Sequence, residues 1–497
     1  MEHLLLPLCK STWITHFTHT KISMDISLSL KTITLFLGFY MAWTIGANDV
    51  ANAMGTSVGS KALSLKRAVI IAAILEFAGA FFVGSNVSET IQTGIIDPTI
   101  FQSQPLVFVL GMMGSMLATG ILLQLASYYY LPISTTHSIV GAVTGFGIAI
   151  GGFHAIQWTE IGWIAASWII SPMISGIISY LTFLFIQKKI LCAIHPVEAI
   201  LKTAPFFTFL CCNLMIFSLF YHGLSNLQLD FSLIFSICIS CAISLIFAFC
   251  CYLLIRKMIS PADDLIPVGF HSAQIINLEK ALHHIQFVHL SNRSQSHSSK
   301  ISRILAEVQN LSDEVKKEAP RQGIGAQHSS VEKTFVFLQI LSACLVAFAH
   351  GANDVANAIG PVAAVFSVFK TNALPTYTSI PTWLLTLGGS GVIIGLATWG
   401  WRVMETIGQK ITELTPAKGF AAEFGAAATI LAASKLGLPI STTHALVGAV
   451  VGVGMATGLQ TLNLQTMKEI SVSWLVTIPL CAILSILMFH LLAWIFL

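Results

Sequence analysis

One polar string occurs twice inside apolar sequence, and this repetition constrains the fold more than any other feature. Gly46-Ala47-Asn48-Asp49-Val50-Ala51-Asn52-Ala53-Met54-Gly55 returns as Gly351-Ala352-Asn353-Asp354-Val355-Ala356-Asn357-Ala358-Ile359-Gly360. Leu131-Pro132-Ile133-Ser134-Thr135-Thr136-His137 returns as Leu438-Pro439-Ile440-Ser441-Thr442-Thr443-His444. Fainter matches extend the repeat: Gly79, Gly84 and Glu89 are echoed by Gly395, Gly400 and Glu405, and Trp168 by Trp474. The chain therefore holds two copies of one plan. Duplicated polar breaks in hydrophobic segments mark a transporter built from repeats, with its site where the repeats meet.

The medium follows from composition. Of 497 residues, 55% are hydrophobic and 9% charged, against about 25% charged in a soluble domain. Apolar runs approach or exceed the roughly 20 residues that cross a bilayer as a helix. They include Thr32–Trp43, continuing into the first string, Val69–Val83, Leu106–Leu125, Ile161–Ile186, Phe231–Ile255 and Ile470–Leu497. In the second half they are Thr334–Ala358, Trp383–Trp401, Ala421–Ser434, Ser441–Thr457 and Ile470–Leu497. An outer-membrane barrel would need short alternating strands instead. The expected fold is an all-α polytopic membrane protein of two inverted repeats, with broken helices or re-entrant hairpins and about 11–12 spans. Inversion follows from counting an odd number of spans, about seven, between the copies of the first string. The Gly-rich runs near Gly141–Gly152 and Ala421–Ser441 are the candidate re-entrant pieces.

Four regions are expected. Residues 1–28 read as a disordered N-terminal extension without a signal-peptide pattern, and Met24 is a second candidate start. Residues 29–255 hold the first repeat and additional spans, and 334–497 the second repeat. The hydrophilic segment 256–333 lies between them. Its Ile301, Ile304, Leu305, Val308, Leu311 and Val315 fall near helical spacing. Lys61, Lys66, Arg67, Lys188, Lys189, Arg256 and Lys257 cluster in particular links, which the positive-inside rule places in the cytoplasm, 256–333 among them. The ten cysteines sit mostly in apolar runs and read as packing residues. The expected location is a bacterial inner membrane, crossed many times.

The first string carries an acid where acids are costly. An Asp in mid-membrane costs about 2.5–3.5 kcal/mol on insertion scales, yet it occurs twice, at Asp49 and Asp354. Asp49 and Asn52 share a helix face, as do Asp354 and Asn357. Asn48, and likewise Asn353, would reach inward only where the helix unwinds at the preceding glycine. A carboxylate with amide oxygens suits a hard cation, Na⁺ or a proton, with Na⁺ the candidate metal at Asp49 and Asp354. The bland alternative is an inter-helix hydrogen-bond cluster. Glu76 and Glu423 are further lone acids in apolar surroundings, although Glu423 could also be a helix-end side chain reaching water.

The second string reads as an anion site. Pro and Ser or Thr favour a helix start, and free N–H groups with a positive dipole end attract anions. Ser134, Thr135, Thr136, Ser441, Thr442 and Thr443 supply hydroxyls, and neither copy contains Lys or Arg. The alternative is a helix cap with small residues packed behind it. Taken together, acids and hydroxyls imply coupled transport, because acids repel an anion unless cations occupy them. Moving a dianion into a negative interior costs about 4.6 kcal/mol at 100 mV, about 2.3 per charge. Two or more co-transported cations would offset this.

On these two strings the chain resembles the inorganic phosphate transporter (PiT) family over about Ser29–Leu497. The resemblance implies an inverted-repeat fold with helical hairpins, inorganic phosphate as substrate, and Na⁺ or H⁺ as coupling ion. It implies cation sites at Asp49 and Asp354, phosphate between Ser134–Thr136 and Ser441–Thr443, and acids required for transport at Glu76 and Glu423. Ile45 and Thr56 stand where the second copy has His350 and Pro361, which breaks a simple equivalence of the halves. Expected partners are phosphate, coupling cations and the lipid bilayer. A homodimer is compatible with the pattern, and neither a cofactor nor nucleic acid is implied. Competing readings are a sulfate or other tetrahedral-oxyanion permease, a passive channel, and an intramembrane hydrolase using Ser134 or Ser441 with the nearby His. Twin sites in opposite orientation suit no single hydrolytic reaction, and a passive channel would not need paired acids.

Overall fold

The computed structural model describes residues 24–497 apart from 194, 222, 225–226, 228, 259–277, 279–280, 283–284, 287, 290–294, 319–320, 372–379, 402, 405–414 and 459–463. Most of the expected extension 1–28, and Glu405, lie outside the described residues. Residues 24–28 are already helical.

The first half contains α1 (Met24–Gly59), α2 (Leu65–Val83), α3 (Ser85–Thr93), α4 (Pro105–Tyr128), α5 (Thr135–Phe146) and α6 (Trp158–Ile186). Helices α7 (Pro196–Phe220), α8 (Leu233–Met258) and α9 (Gln295–Glu318) follow. The second half runs through α10 (Arg321–Thr371), α11 (Thr382–Trp399), α12 (Pro416–Lys435), α13 (Thr442–Thr457) and α14 (Leu464–Phe496). Eight described helices are long and apolar enough to cross a bilayer: α1, α4, α6, α7, α8, α10, α11 and α14. The α2–α3 pair, bent by 64°, makes a ninth if it is one span. The apolar helices α5 and α13, of 12 and 16 residues, fall short of the roughly 20 needed.

The short helices are the second arms of hairpins. Residues 129–134 turn α4 into α5, and residues 436–441 turn α12 into α13. Both turns use a left-handed residue, Tyr130 at φ 59° and Gly437 at φ 67°. Both close with an N–H reaching back five residues, Leu131 N to Ala126 O and Leu438 N to Ala433 O. The chain entering α4 and the chain leaving α5 meet in an Ile96–Ile156 antiparallel bridge. This hairpin therefore enters and leaves at one face, which is the re-entrant arrangement. Such backbone is tolerated at membrane depth only when buried in protein, and α4 and α5 are largely buried.

The break does not fall at the first string. Helix α1 runs without interruption through Gly46–Gly55, and α10 through Gly351–Gly360. The helix is not unwound at Gly46, contrary to the condition set for an inward-reaching Asn48.

The halves exchange partners. Helix α1 packs on α11 and α10 on α2, while α5 packs on α14 and α13 on α6. This reciprocal exchange is what a pseudo-two-fold relation between inverted repeats produces. The crossings are close enough to exclude a side chain. A Cβ added at Gly46 would stand 1.9 Å from the Val392 carbonyl oxygen, and one at Gly351 2.0 Å from that of Glu76. We expect Gly46→Ala and Gly351→Ala each to destabilise the fold by about 1–3 kcal/mol or more, the range for overpacking. Thermal melting in detergent measures this, and an unchanged melting temperature would mean that the helices part freely.

Exposed apolar side chains cover α6, α8 and α14, among them Ile170, Met173, Ile234, Ile246, Leu475 and Trp494. In water such a surface would be a liability; in a bilayer it is the lipid-facing wall. The spacing expected over 301–317 corresponds to α9, and the described cysteines are free thiols.

Candidate functional site

Each half presents the N-terminus of a short buried helix. Ser134 caps α5 and Ser441 caps α13, with extended ψ values of 119° and 111°. Each hydroxyl oxygen accepts the backbone N–H three residues on, His137 N and His444 N, both at 3.2 Å. The two helix tips meet, with Thr136 Oγ1 donating to Ile440 O at 2.9 Å. All six hydroxyl residues are 3% exposed or less, so the helix tips are buried within the protein.

The acids converge on these tips. Thr442 Oγ1 donates to Asp354 Oδ2 at 2.8 Å, and Thr443 Oγ1 lies 3.5 Å from Asp49 Oδ1. Asn52 Nδ2 donates to Asp49 Oδ1 at 2.9 Å and to Thr443 Oγ1 at 2.8 Å. In the mirrored sense, Asn357 Nδ2 reaches Thr135 and Thr136 Oγ1, each at 3.3 Å. Each asparagine thus crosses from its own half to the hydroxyl string of the other. One ligand atom each of Asp49, His350 and Asp354 lie within 4.8 Å of one another. The two aspartates form one cluster rather than two separated sites.

Most of the remaining expected residues lie elsewhere. Asn48 turns away from the acids: its Nδ2 donates to Ser127 Oγ and Leu131 O, both at 3.1 Å, and its Oδ1 accepts Ile133 N at 3.3 Å. Asn353 keeps a link to the acids: in the amide orientation that satisfies both ends, its Oδ1 accepts from Ser434 Oγ and its Nδ2 donates to Ile440 O and to Asp354 Oδ1, each at 3.1 Å. These two asparagines tie α1 and α10 to the hairpin turns. Glu76 faces His350, with Oε1 3.2 Å from Nδ1. Glu423 is fully buried, so the reading of a side chain reaching water fails. It accepts Thr56 Oγ1 at 2.6 Å, Ser57 Oγ at 2.7 Å, Gln339 Nε2 at 3.2 Å and Ser342 Oγ at 2.5 Å.

The hydrolase reading loses its base. Each serine is bonded to the backbone N–H of its histidine, while the rings pack against other aromatic side chains. The His137 ring centroid is 3.9 Å from Trp168 and 4.4 Å from His444, and His444 lies 3.5 Å from Trp474.

The family model described as "Phosphate transporter family" matches residues 45–485. The chain belongs to this family. A phosphate transporter of Arabidopsis thaliana, "Inorganic phosphate transporter 2-1, chloroplastic", is 41% identical over 94% of this chain and 73% of its own length. A putative phosphate permease of Chlamydia pneumoniae is 41% identical over 93% of this chain and 98% of its own. A solved structure titled "The sodium-dependent phosphate transporter" superposes with a TM-score of 0.76 at 36% identity, covering 94% of this chain and 100% of that one.

Within this phosphate transporter family member, several site neighbours were not legible beforehand. Ser127 and Ser434 each stand four residues before a hairpin-turn leucine, and that duplication was a usable signal. Thr56, Ser57, Gln339 and Ser342 around Glu423 carry no such signal. At the positions that Thr56 and Ser57 hold in the first copy, the second has Pro361 and Val362.

Proposed function

We propose that this protein carries inorganic phosphate across a membrane in symport with cations, at the buried cluster between its repeats. The observation that carries the reading is the direct link between the two strings. In this closed state the Thr442 hydroxyl spends its proton on Asp354, and Thr443 lies against Asp49. A cation that takes over the carboxylate charge releases these hydroxyls to donate to an oxyanion. Without the cation, carboxylates face the anion and repel it. Cation and phosphate would then bind together, which is what coupling requires. The solved relative named as sodium-dependent supports Na⁺ as the ion. No observation favours sulfate. Radiolabelled phosphate uptake into proteoliposomes, with an inward Na⁺ gradient, a proton gradient or neither, tests the reading. Uptake unaffected by either gradient would overturn it, as would sulfate uptake with no competition from phosphate.

The serines have two roles that separate by experiment. The Ser134 and Ser441 oxygens already accept a backbone N–H, and the hydroxyl protons remain available to an anion. Ser134→Ala and Ser441→Ala should each cost about 0.5–2 kcal/mol of stability through the lost cap. Phosphate affinity should fall roughly 10- to 150-fold, the worth of a hydrogen bond to a charged group. More coupling cation should not restore it. Lower melting temperature with unchanged affinity would leave the serines as caps alone.

A further inference from the structure

We propose that one acyl chain of a bilayer lipid lodges in the crevice between α6 and α14, against the outer face of α13. The inference goes beyond the transport reading. It concerns the membrane's hold on the hairpin arm that follows Ser441, not the ions or the substrate.

The crevice follows from how the helices pack. Helix α13 lies on α6, whereas α14 lies on α5. The α6 crossing is backbone to backbone: a Cβ added at Gly448 would stand 2.2 Å from the Pro172 carbonyl oxygen, and one at Gly452 2.1 Å from that of Gly176. Helix α14 meets α13 near its tip, where the His444 ring lies on Trp474. Beyond that contact α6, α13 and α14 border a cavity of about 480 Å³, within the roughly 300–1,000 Å³ of small-molecule sites. Met173 and Ile177 form the α6 wall, and Met467 and Trp474 the α14 wall. Gly448, Val451 and Met455 form the floor, at the three- and four-residue spacing of one helix face.

Two observations name the occupant. The lining holds no charged side chain, and its polar groups are the Tyr180 and Ser471 hydroxyls and the Trp474 indole. Hydrocarbon suits such a lining and an ion does not. The crevice is also continuous with the lipid-facing wall: Met173, Ile177 and Met455 are 61%, 57% and 54% exposed. The bilayer's own chains therefore stand at its mouth. In the bilayer core there is no water to fill an apolar void, and wall atoms without neighbours lose dispersion contacts that an entering chain restores. Helix α13 ends at Thr457 and α14 begins at Leu464, so Met455 and Met467 lie at the end nearest that connection, and Trp474 at the end nearest the hairpin turn. Tyr180 lies one turn beyond Gly176, towards the Met455 end, and Ser471 one turn before Trp474. Their hydroxyls can donate to a lipid's ester oxygens while the chain runs inward along α13. A chain there fills the space into which α13 would tilt on leaving α6, and so holds the hairpin in the arrangement described.

The test uses the full chain in detergent, incubated with a phosphatidylcholine that carries a diazirine in mid-chain, washed with lipid-free detergent and then irradiated. Adducts should remain on Val451 or Met455 after the wash and be gone from Ile234 and Ile246 on the lipid-facing wall of α8. Met455→Trp fills the crevice from an exposed position. It should cut the retained adduct roughly tenfold or more, since each methylene kept out loses about fourfold in affinity. Adducts that wash from α13 and α8 alike would overturn the proposal, as would full retention in Met455→Trp. So would a second copy seated in the crevice, seen as a Met455→Cys cross-linked dimer that wild type does not form. If Met455→Trp yields no folded protein, the wild-type wash decides alone. None of these readouts depends on uptake, so failure of the transport reading would leave the result standing.

Discussion

Replacing Asp49 by Asn is expected to abolish cation-driven phosphate uptake while leaving the fold intact. The substitution preserves size and one acceptor oxygen, so the contacts of Oδ1 with Asn52 and Thr443 can be retained. What it removes is the charge that balances a cation in a buried site. Breaking a buried charge pair by deleting one partner costs about 3–5 kcal/mol, or roughly a hundred- to several-thousandfold in affinity. Gradient-driven uptake should therefore fall to background in proteoliposomes, with a melting temperature close to wild type. Asp354→Asn should lose uptake as well, by a different route. It weakens the hold on Thr442 and leaves the His350 ring facing Glu76 with one carboxylate fewer. Wild-type, gradient-dependent uptake in both variants would remove the aspartates from the coupling site.

Glu423→Ala should be the most damaging change for stability outside the helix crossings. The carboxylate collects four donors from two other helices, Thr56 and Ser57 on α1, and Gln339 and Ser342 on α10. Deleting it leaves buried donors unsatisfied, at about 1–3 kcal/mol each. The Ser and Thr hydroxyls can turn back to carbonyls of their own helices, which recovers part of the loss. A net cost of about 1–3 kcal/mol, that of the Gln339 amide donor left over, is expected, read as a fall in melting temperature. Glu423→Gln keeps the shape and should recover much of that stability. If Glu423 also serves the coupling ion, Glu423→Gln should fold yet show an altered cation dependence of uptake. A Glu423→Ala protein as stable as wild type would show that the four donors find other partners at no cost.

The sequence by itself determined the membrane class, the two repeats and both polar strings. These are legible because duplication and hydrophobicity are properties of the chain read in order. Repetition of an Asp in apolar sequence, at about 2.5–3.5 kcal/mol each, is hard to explain without a use. The cap serines were equally legible, since a Ser after Pro at a helix start has a local reason to be there.

Only the tertiary structure decided which side chains meet. It placed Asp49 and Asp354 in one cluster, which no spacing could reveal. Asn48 and Asn353 went to the hairpin turns and Asn52 and Asn357 across the axis, although all four belong to one repeated string. On an unbroken helix, neighbouring residues point in different directions, and what each direction meets depends on the facing half. The His350–Glu76 pair shows this most clearly. His350 is separated from Glu76 by most of the chain, and the pair exists because α10 crosses α2 at Gly351. A contact between distant stretches is set by packing geometry, and that geometry arises only when the two repeats close on each other.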